Sequence, residues 1–206
     1  MKGWNYEITI PIHFFSSFLF VTHLTYAQQP LSPDILRQPI IEGHQAAGVS
    51  LGATEAKVVE KMGLPQHEWG MGQLHRTLVY ANVVDDEGKM NLYINILIEN
   101  NLVIGVEIMS VPLVGIGHIY KGKTRKGFRF GDPVEKVKAL YGTPHKSSER
   151  GNSVLLWYKK EGIFFRYSGF IEEGVGKWPT SIVILRPGQS LPEHLREEGG
   201  PLREWE

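Results

Sequence analysis

Between positions 92 and 98 every second residue is aliphatic: Leu92, Ile94, Ile96 and Ile98, with Tyr93 and Asn95 in the alternate set. A period of two marks a strand with one face buried. Strands are predicted in this way at 77–84, 91–98 and 102–109, and again at 153–159, 163–168 and 180–186. In the third of these the aliphatic set is Leu102, Ile104, Val106 and Ile108, which sends Glu107 to the other face. Asp85-Asp86-Glu87-Gly88, Glu99-Asn100-Asn101 and Lys160-Glu161-Gly162 supply the turns.

Ahead of each group of strands the period lengthens to that of a helix. Val58, Val59 and Met62 share one helical face, as do Val134, Val137, Leu140 and Tyr141. The two stretches also match residue for residue, LGATEAKVVEKMGLP at 51–65 and FGDPVEKVKALYGTP at 130–144. A constant offset of 79 positions relates Gly48 to Gly127, Gly52 to Gly131, Lys57 to Lys136, Val58 to Val137, Gly63 to Gly142 and Pro65 to Pro144. Such ungapped self-similarity marks an internal repeat. Asp132 is expected to cap the second helix, with Pro133 in its first turn and Glu135 completing a capping box; Thr54 and Glu55 do the same less fully. Gly63 and Gly142 suit the left-handed residue that ends a helix, and the prolines two positions on prevent continuation.

The predicted fold class is therefore α+β, two tandem units that each pack a short helix on an antiparallel β-meander. The boundaries read 1–27 signal peptide, 28–47 linker, 48–112 first unit, 113–126 linker, 127–186 second unit and 187–206 polar tail. Within that tail Ser190 and Glu193 have the spacing to start one short helix.

Composition narrows the function classes. Of 206 residues, 42% are apolar and 21% charged, which fits a chain able to bury a core. The formal net charge is zero, so no global field draws nucleic acid, and no nucleic-acid partner is expected. One local basic run, Lys121-Gly122-Lys123-Thr124-Arg125-Lys126, reads first as a solvated linker and second as a contact for phosphate or an acidic partner. The chain contains no cysteine, which removes disulfides, thiolate nucleophiles and Cys-ligated metals. After Lys2 a mostly apolar stretch runs from Ile8 to Val21 and ends on Thr25-Tyr26-Ala27, the layout of a secretory signal peptide cut after Ala27. The competing reading is an uncleaved signal anchor, for which the stretch is short and broken by Pro11, His13, Ser16 and Ser17. A periplasmic or extracellular protein follows, with no integral membrane segment once the leader is removed.

The glycine, hydrophobic pair, short helix and Gly-x-Pro found in both copies resemble the tandem α+β repeats of the β-lactamase-inhibitor-protein-like fold. They also resemble the single unit of the SmpA/OmlA type of outer-membrane assembly lipoproteins. The likeness covers about residues 48–186, and its specific part is the fifteen-residue helix motif. It implies an exported, non-enzymatic protein that binds another macromolecule through its sheet or helices. The chain departs from the lipoprotein type in having no cysteine to receive an acyl group.

No catalytic constellation emerges. The eight histidines show no zincin spacing, and His67 and His75 flank Trp69-Gly70-Met71-Gly72 without a metal-loop pattern. Gly115-Ile116-Gly117-His118 opens no phosphate loop, and Ser110, Ser147, Ser148 and Ser153 lack an elbow motif. Glu172-Glu173 and Glu197-Glu198 read as solvated turns. No metal or cofactor is expected. The chemistry-bearing surface is instead the second sheet face. There Leu155, Trp157 and Lys159 join Phe164, Arg166 and Ser168, with Tyr93 and Asn95 from the first unit. In one of two possible alignments Tyr80 and Asn82 join them. Tyr93, Asn95, Trp157, Lys159, Phe164 and Arg166 form the candidate binding set for an unknown protein partner, because aromatics and Arg are enriched in recognition surfaces. An exposed face favours binding and a covered one favours a structural envelope protein without a discrete ligand. A hydrolase using His118 or His67 is the third reading.

Overall fold

The computed structural model describes residues 31–70, 75–83, 90–110, 120–150, 153–168 and 178–190. The leader 1–27, the Gly115–His118 stretch and all but the first four residues of the 187–206 tail lie outside them.

Each of the six segments with strand periodicity forms a strand. They are β4 (His75–Val83), β5 (Met90–Glu99), β6 (Leu102–Ser110), β8 (Ser153–Tyr158), β9 (Ile163–Ser168) and β10 (Trp178–Leu185). Two more strands, β3 (His67–Gly70) and β7 (Lys146–Arg150), complete an eight-stranded sheet in the order β3-β4-β5-β6-β10-β9-β8-β7. All of its pairings are antiparallel. Helices α1 (Glu55–Met62) and α2 (Val134–Tyr141) precede β3 and β7. A hairpin of β1 (Gln45–Ala46) and β2 (Val49–Ser50) lies ahead of α1.

This architecture corrects the expected fold class. The chain is mostly β, and it does not divide into two tandem helix-on-meander units. β6 and β10 pair over five residues, from Met109 with Ser181 to Gly105 with Leu185. One continuous sheet results, with a single large core on its helix side. The reason is edge chemistry: without this pairing β6 and β10 would each leave a row of unpaired amides and carbonyls at an open edge.

The core row runs Tyr80, Ile94, Ile108, Ile182, Phe165 and Leu156 across neighbouring strands. Val58 of α1 and Val134, Val137 and Tyr141 of α2 pack into the same cluster. Tyr80 is thus on the helix face and not on the second face. The alternation expected in β6 also fails at one end. A bulge between Gly105 and Val103 shifts the register, so Val103 enters the main core while Ile104 packs on the opposite cluster and Leu102 is exposed. One extra residue reverses the phase of everything beyond it.

The helix ends differ from expectation as well. Neither Thr54 nor Pro133, the residues at the two caps, makes a side-chain capping bond. Asp132 accepts from the Arg129 amide at 2.7 Å and from Lys136 Nζ at 2.9 Å, so it ties the preceding loop to the helix. Gly142 has φ 77° and ψ −147°, and Gly63 has φ 81° and ψ −169°. That is the region open essentially to glycine alone, not the left-handed helical one. It turns the chain straight into the edge strand.

The expected linker 28–47 is structured where described. Leu31, Ile35 and Ile40 are core residues, and a 3-10 turn covers Ile35–Arg37. Their spacings of four and five residues, interrupted by Pro33 and Pro39, sustain neither a helical nor a strand period. No helix among the described residues is long and apolar enough to cross a membrane.

Candidate functional site

The antiparallel registers place the second sheet face residue by residue. One row passes from His67 on β3 through Val79, Asn95 and Glu107 to Val183, and on through Phe164 and Trp157 to Lys146 on β7. The adjacent row holds Ala81, Tyr93, Met109, Ser181, Arg166 and Leu155. Lys159 lies just past β8 with its ammonium 5.4 Å from the Trp157 ring centroid. The candidate residues therefore share one face, as the period-two argument expects. Asn95 and Trp157 are four strands apart, about 19 Å at the usual inter-strand spacing.

That face has two unlike ends. At the β8–β9 end Trp157 is 3% exposed and Phe164 1%, and they cluster with Leu97, Leu155, Val183 and Leu185. Every buried member of this second cluster comes from a strand. Trp157 also meets the His145 ring edge-on at 5.7 Å. Trp157 and Phe164 are thus buried in this cluster and not exposed on the face. Tyr93, Asn95, Lys159 and Arg166 are only half-buried.

At the β5–β6–β10 end a carboxylate sits in the middle of the sheet. Glu107 is 4% exposed. Its Oε1 accepts from the Ser181 hydroxyl at 2.6 Å and its Oε2 from the Asn95 amide at 2.9 Å. The Asn95 amide also lies 3.9 Å from Met109 Sδ. A buried carboxylate without donors is costly, and here both oxygens have one. The three residues come from β5, β6 and β10, so the cluster exists only because β6 pairs with β10. Sequence reasoning put Glu107 on this face but passed over its role. The available signal was a lone acid in an otherwise aliphatic strand. Ser181 gave none.

Other sites considered from the sequence are dispersed. His67 is on the exposed edge strand β3, His75 faces Glu99 at 3.4 Å, and His118 lies outside the described residues. Among the described residues no group of three or more His, Cys, Asp or Glu is arranged to hold a metal ion.

No protein-family model matches the chain, and no curated protein matches it. Two solved structures superpose in part. One is described as a cysteine-rich secretory protein from Staphylococcus aureus, at 11% identity and TM-score 0.44, covering 77% of this chain and 52% of that one. The other is described as an extracellular protein containing an SCP domain from Bacillus anthracis, at 10% identity and TM-score 0.38, covering 72% and 52%. The chain therefore spans about half the length of each. Both descriptions place those proteins outside the cell.

Proposed function

We propose that the chain is an exported, non-enzymatic module that binds another polypeptide in the cell envelope or outside it. The contact is the polar end of the second sheet face, where Tyr93, Asn95 and Arg166 flank Glu107. The observation that carries this reading is the Glu107 carboxylate clamped by Ser181 and Asn95. It holds the half-buried Asn95 amide in one orientation, and a pre-oriented polar group loses less entropy on binding. Tyr93 and Arg166 add the aromatic and guanidinium chemistry enriched at hot spots. Export rests on the apolar stretch Ile8–Val21 and the small residues before Gln28.

A second reading, a structural envelope protein without a discrete ligand, has one specific observation in its favour. Trp157 and Phe164 are as buried as core residues. Photo-crosslinking separates the two. A crosslinker in place of Tyr93 should trap one discrete partner in exporting cells, while one in place of Lys138 on α2 should not. With that partner purified, Tyr93→Ala and Arg166→Ala should each weaken binding by about tenfold or more, with melting unchanged. No discrete adduct, or unaltered affinity in both variants, sinks the binding reading.

A further inference from the structure

The basic run at 121–126 is not a solvated linker where the structure describes it. Lys123 and Arg129 face each other across an antiparallel bridge, and the Thr124 amide donates to the Phe128 carbonyl at 2.9 Å. The Phe128 amide returns to Thr124 Oγ1 at 3.1 Å, and the Gly127 amide to the Thr124 carbonyl at 2.9 Å. This small hairpin is fastened to the body on its inner side. Thr124 is 2% exposed and Phe128 fully buried. The Ile40 amide donates to the Lys123 carbonyl at 3.0 Å, and the Lys121 amide to the Leu36 carbonyl at 2.8 Å. Tyr120, buried beneath, donates its hydroxyl to the Gln38 carbonyl at 2.7 Å and accepts from the Ala47 amide at 3.2 Å.

With its backbone held in this way, the hairpin turns its cations outward. Lys121, Lys123, Arg125, Lys126 and Arg129 are all exposed, and Arg37 is exposed next to Leu36. Lys126 lies 4.5 Å from the Tyr141 ring centroid, which fixes the tip of the hairpin over α2. Residues 120–131 include no acid. Nearby acids are fewer: Asp132, which accepts from the Arg129 amide and from Lys136 Nζ, Glu42 and Glu161 around Tyr141, and the exposed Asp34 close to Arg37 in sequence, four against the six exposed cations. The chain as a whole is neutral, so this excess of positive charge is local.

We infer that this hairpin is a docking surface for anionic phospholipid headgroups. Its cations are spread over an outward-facing surface, five of them on a hairpin and mostly lysine. That suits a flat, diffuse array of phosphates rather than one bound anion, which calls for a fork of guanidiniums in a pocket. The described body also begins beside it. The 3-10 turn that receives the Lys121 amide follows Leu31, ten positions after the end of the apolar stretch at Val21. The leader directs the chain across a bilayer, so the basic face is released beside that bilayer's headgroups. The proposal uses a different surface from the sheet-face reading and stands or falls apart from it.

Vesicle co-sedimentation of the exported protein tests it. Binding to phosphatidylglycerol vesicles at low salt should be strong, absent on phosphatidylcholine, and abolished by high salt. Each cation is worth about fivefold in partition, so Lys123→Gln, Arg125→Gln and Arg129→Gln together should weaken binding by about a hundredfold with an unchanged melting curve. A control loss of charge elsewhere, Lys57→Gln on α1 with Lys146→Gln on the edge strand β7, should leave it unaltered. Equal loss in the control overturns the assignment to the hairpin. Salt-insensitive binding, equal binding to phosphatidylcholine, or capture of soluble polyphosphate without vesicle binding overturns the assignment to lipid.

Discussion

The Tyr158 hydroxyl donates to the carbonyl of Gly142 at 3.1 Å, where α2 gives way to the edge strand β7. Tyr80 makes the same bond to Gly63 at 3.1 Å at the end of α1. Each tyrosine reaches from the second strand of its half under the helix and satisfies a terminal carbonyl that the helix itself leaves open. The backbone turn and the tyrosine therefore specify each other.

Replacing either hydroxyl isolates that bond. Tyr80→Phe and Tyr158→Phe should each lower stability by about 1 kcal/mol in urea titrations. The double variant should lose the sum, because the two sites share no partner. A loss well above the sum would mean that the two helix ends are coupled through the core.

The same tyrosines set an alkaline limit. Burial, with nearby Glu55 and Glu68 for Tyr80 and Glu161 for Tyr158, pushes both hydroxyls up to about 12. Burial also raises Tyr120, Tyr141 and Tyr167. The unfolded chain ionises its tyrosines near pH 10 and the folded one only above that. Their contribution is thus complete below about pH 10 and is lost as pH rises toward 12. Stability should fall steadily over that window, and less steeply in the Tyr80→Phe, Tyr158→Phe double variant. A flat profile contradicts the buried placement.

Trp157 and Trp69 test the two ways a tryptophan can sit on this sheet. Trp157 is 3% exposed and Trp69 67%. Trp157→Ala should cost about 3–5 kcal/mol, whereas Trp69→Ala should change stability by no more than about 0.5 kcal/mol. Equal effects in chemical denaturation would refute the second cluster.

Ser181 and Glu107 are bonded at 2.6 Å across the seam of the sheet. Ser181→Ala strips a donor from a buried carboxylate and should cost about 1.5–3 kcal/mol. Combining it with Glu107→Leu should cost less than the two single changes added, because the orphaned charge is gone. Simple additivity in that cycle would remove the functional weight placed on the clamp.

Gly162 shows where close approach rules out any side chain. A Cβ there would lie 2.2 Å from the Leu185 carbonyl oxygen and 2.8 Å from Gly43 Cα, while at Gly188 nothing lies within 4 Å. Both have positive φ, 68° and 81°. Gly188→Ala should cost about 1–2 kcal/mol, the strain of that conformation alone. Gly162→Ala should cost clearly more, since relief requires breaking the 3.0 Å bond from the Leu185 amide to the Gly162 carbonyl.

Several features were legible without coordinates because they are local. The alternation in Leu92–Ile98 sets which side of β5 is buried, and it predicts that Tyr93 and Asn95 face the other way. The spacing of Val134, Val137 and Tyr141 sets the buried side of α2. The edge strands β3 and β7 were not legible: His67–Gly70 is exposed on every residue, and Lys146–Arg150 is polar throughout. An edge strand needs no apolar alternation, because one neighbour's hydrogen bonds suffice to hold it.

The sequence by itself determined the strands of the interior, the two short helices and the face each one buries, since each depends on residues a few positions apart. Only the tertiary structure decided that β6 and β10 join two meanders into one sheet, that a bulge sends Val103 inward in place of Ile104, and that Trp157 is covered. The joining of the sheet turns on backbone pairing between segments more than 70 residues apart, as Glu107 and Ser181 are, and the bulge on a register shift inside the β5–β6 hairpin that no alternation announces. A periodic pattern shows that a strand has two faces. It does not show which edge finds a partner.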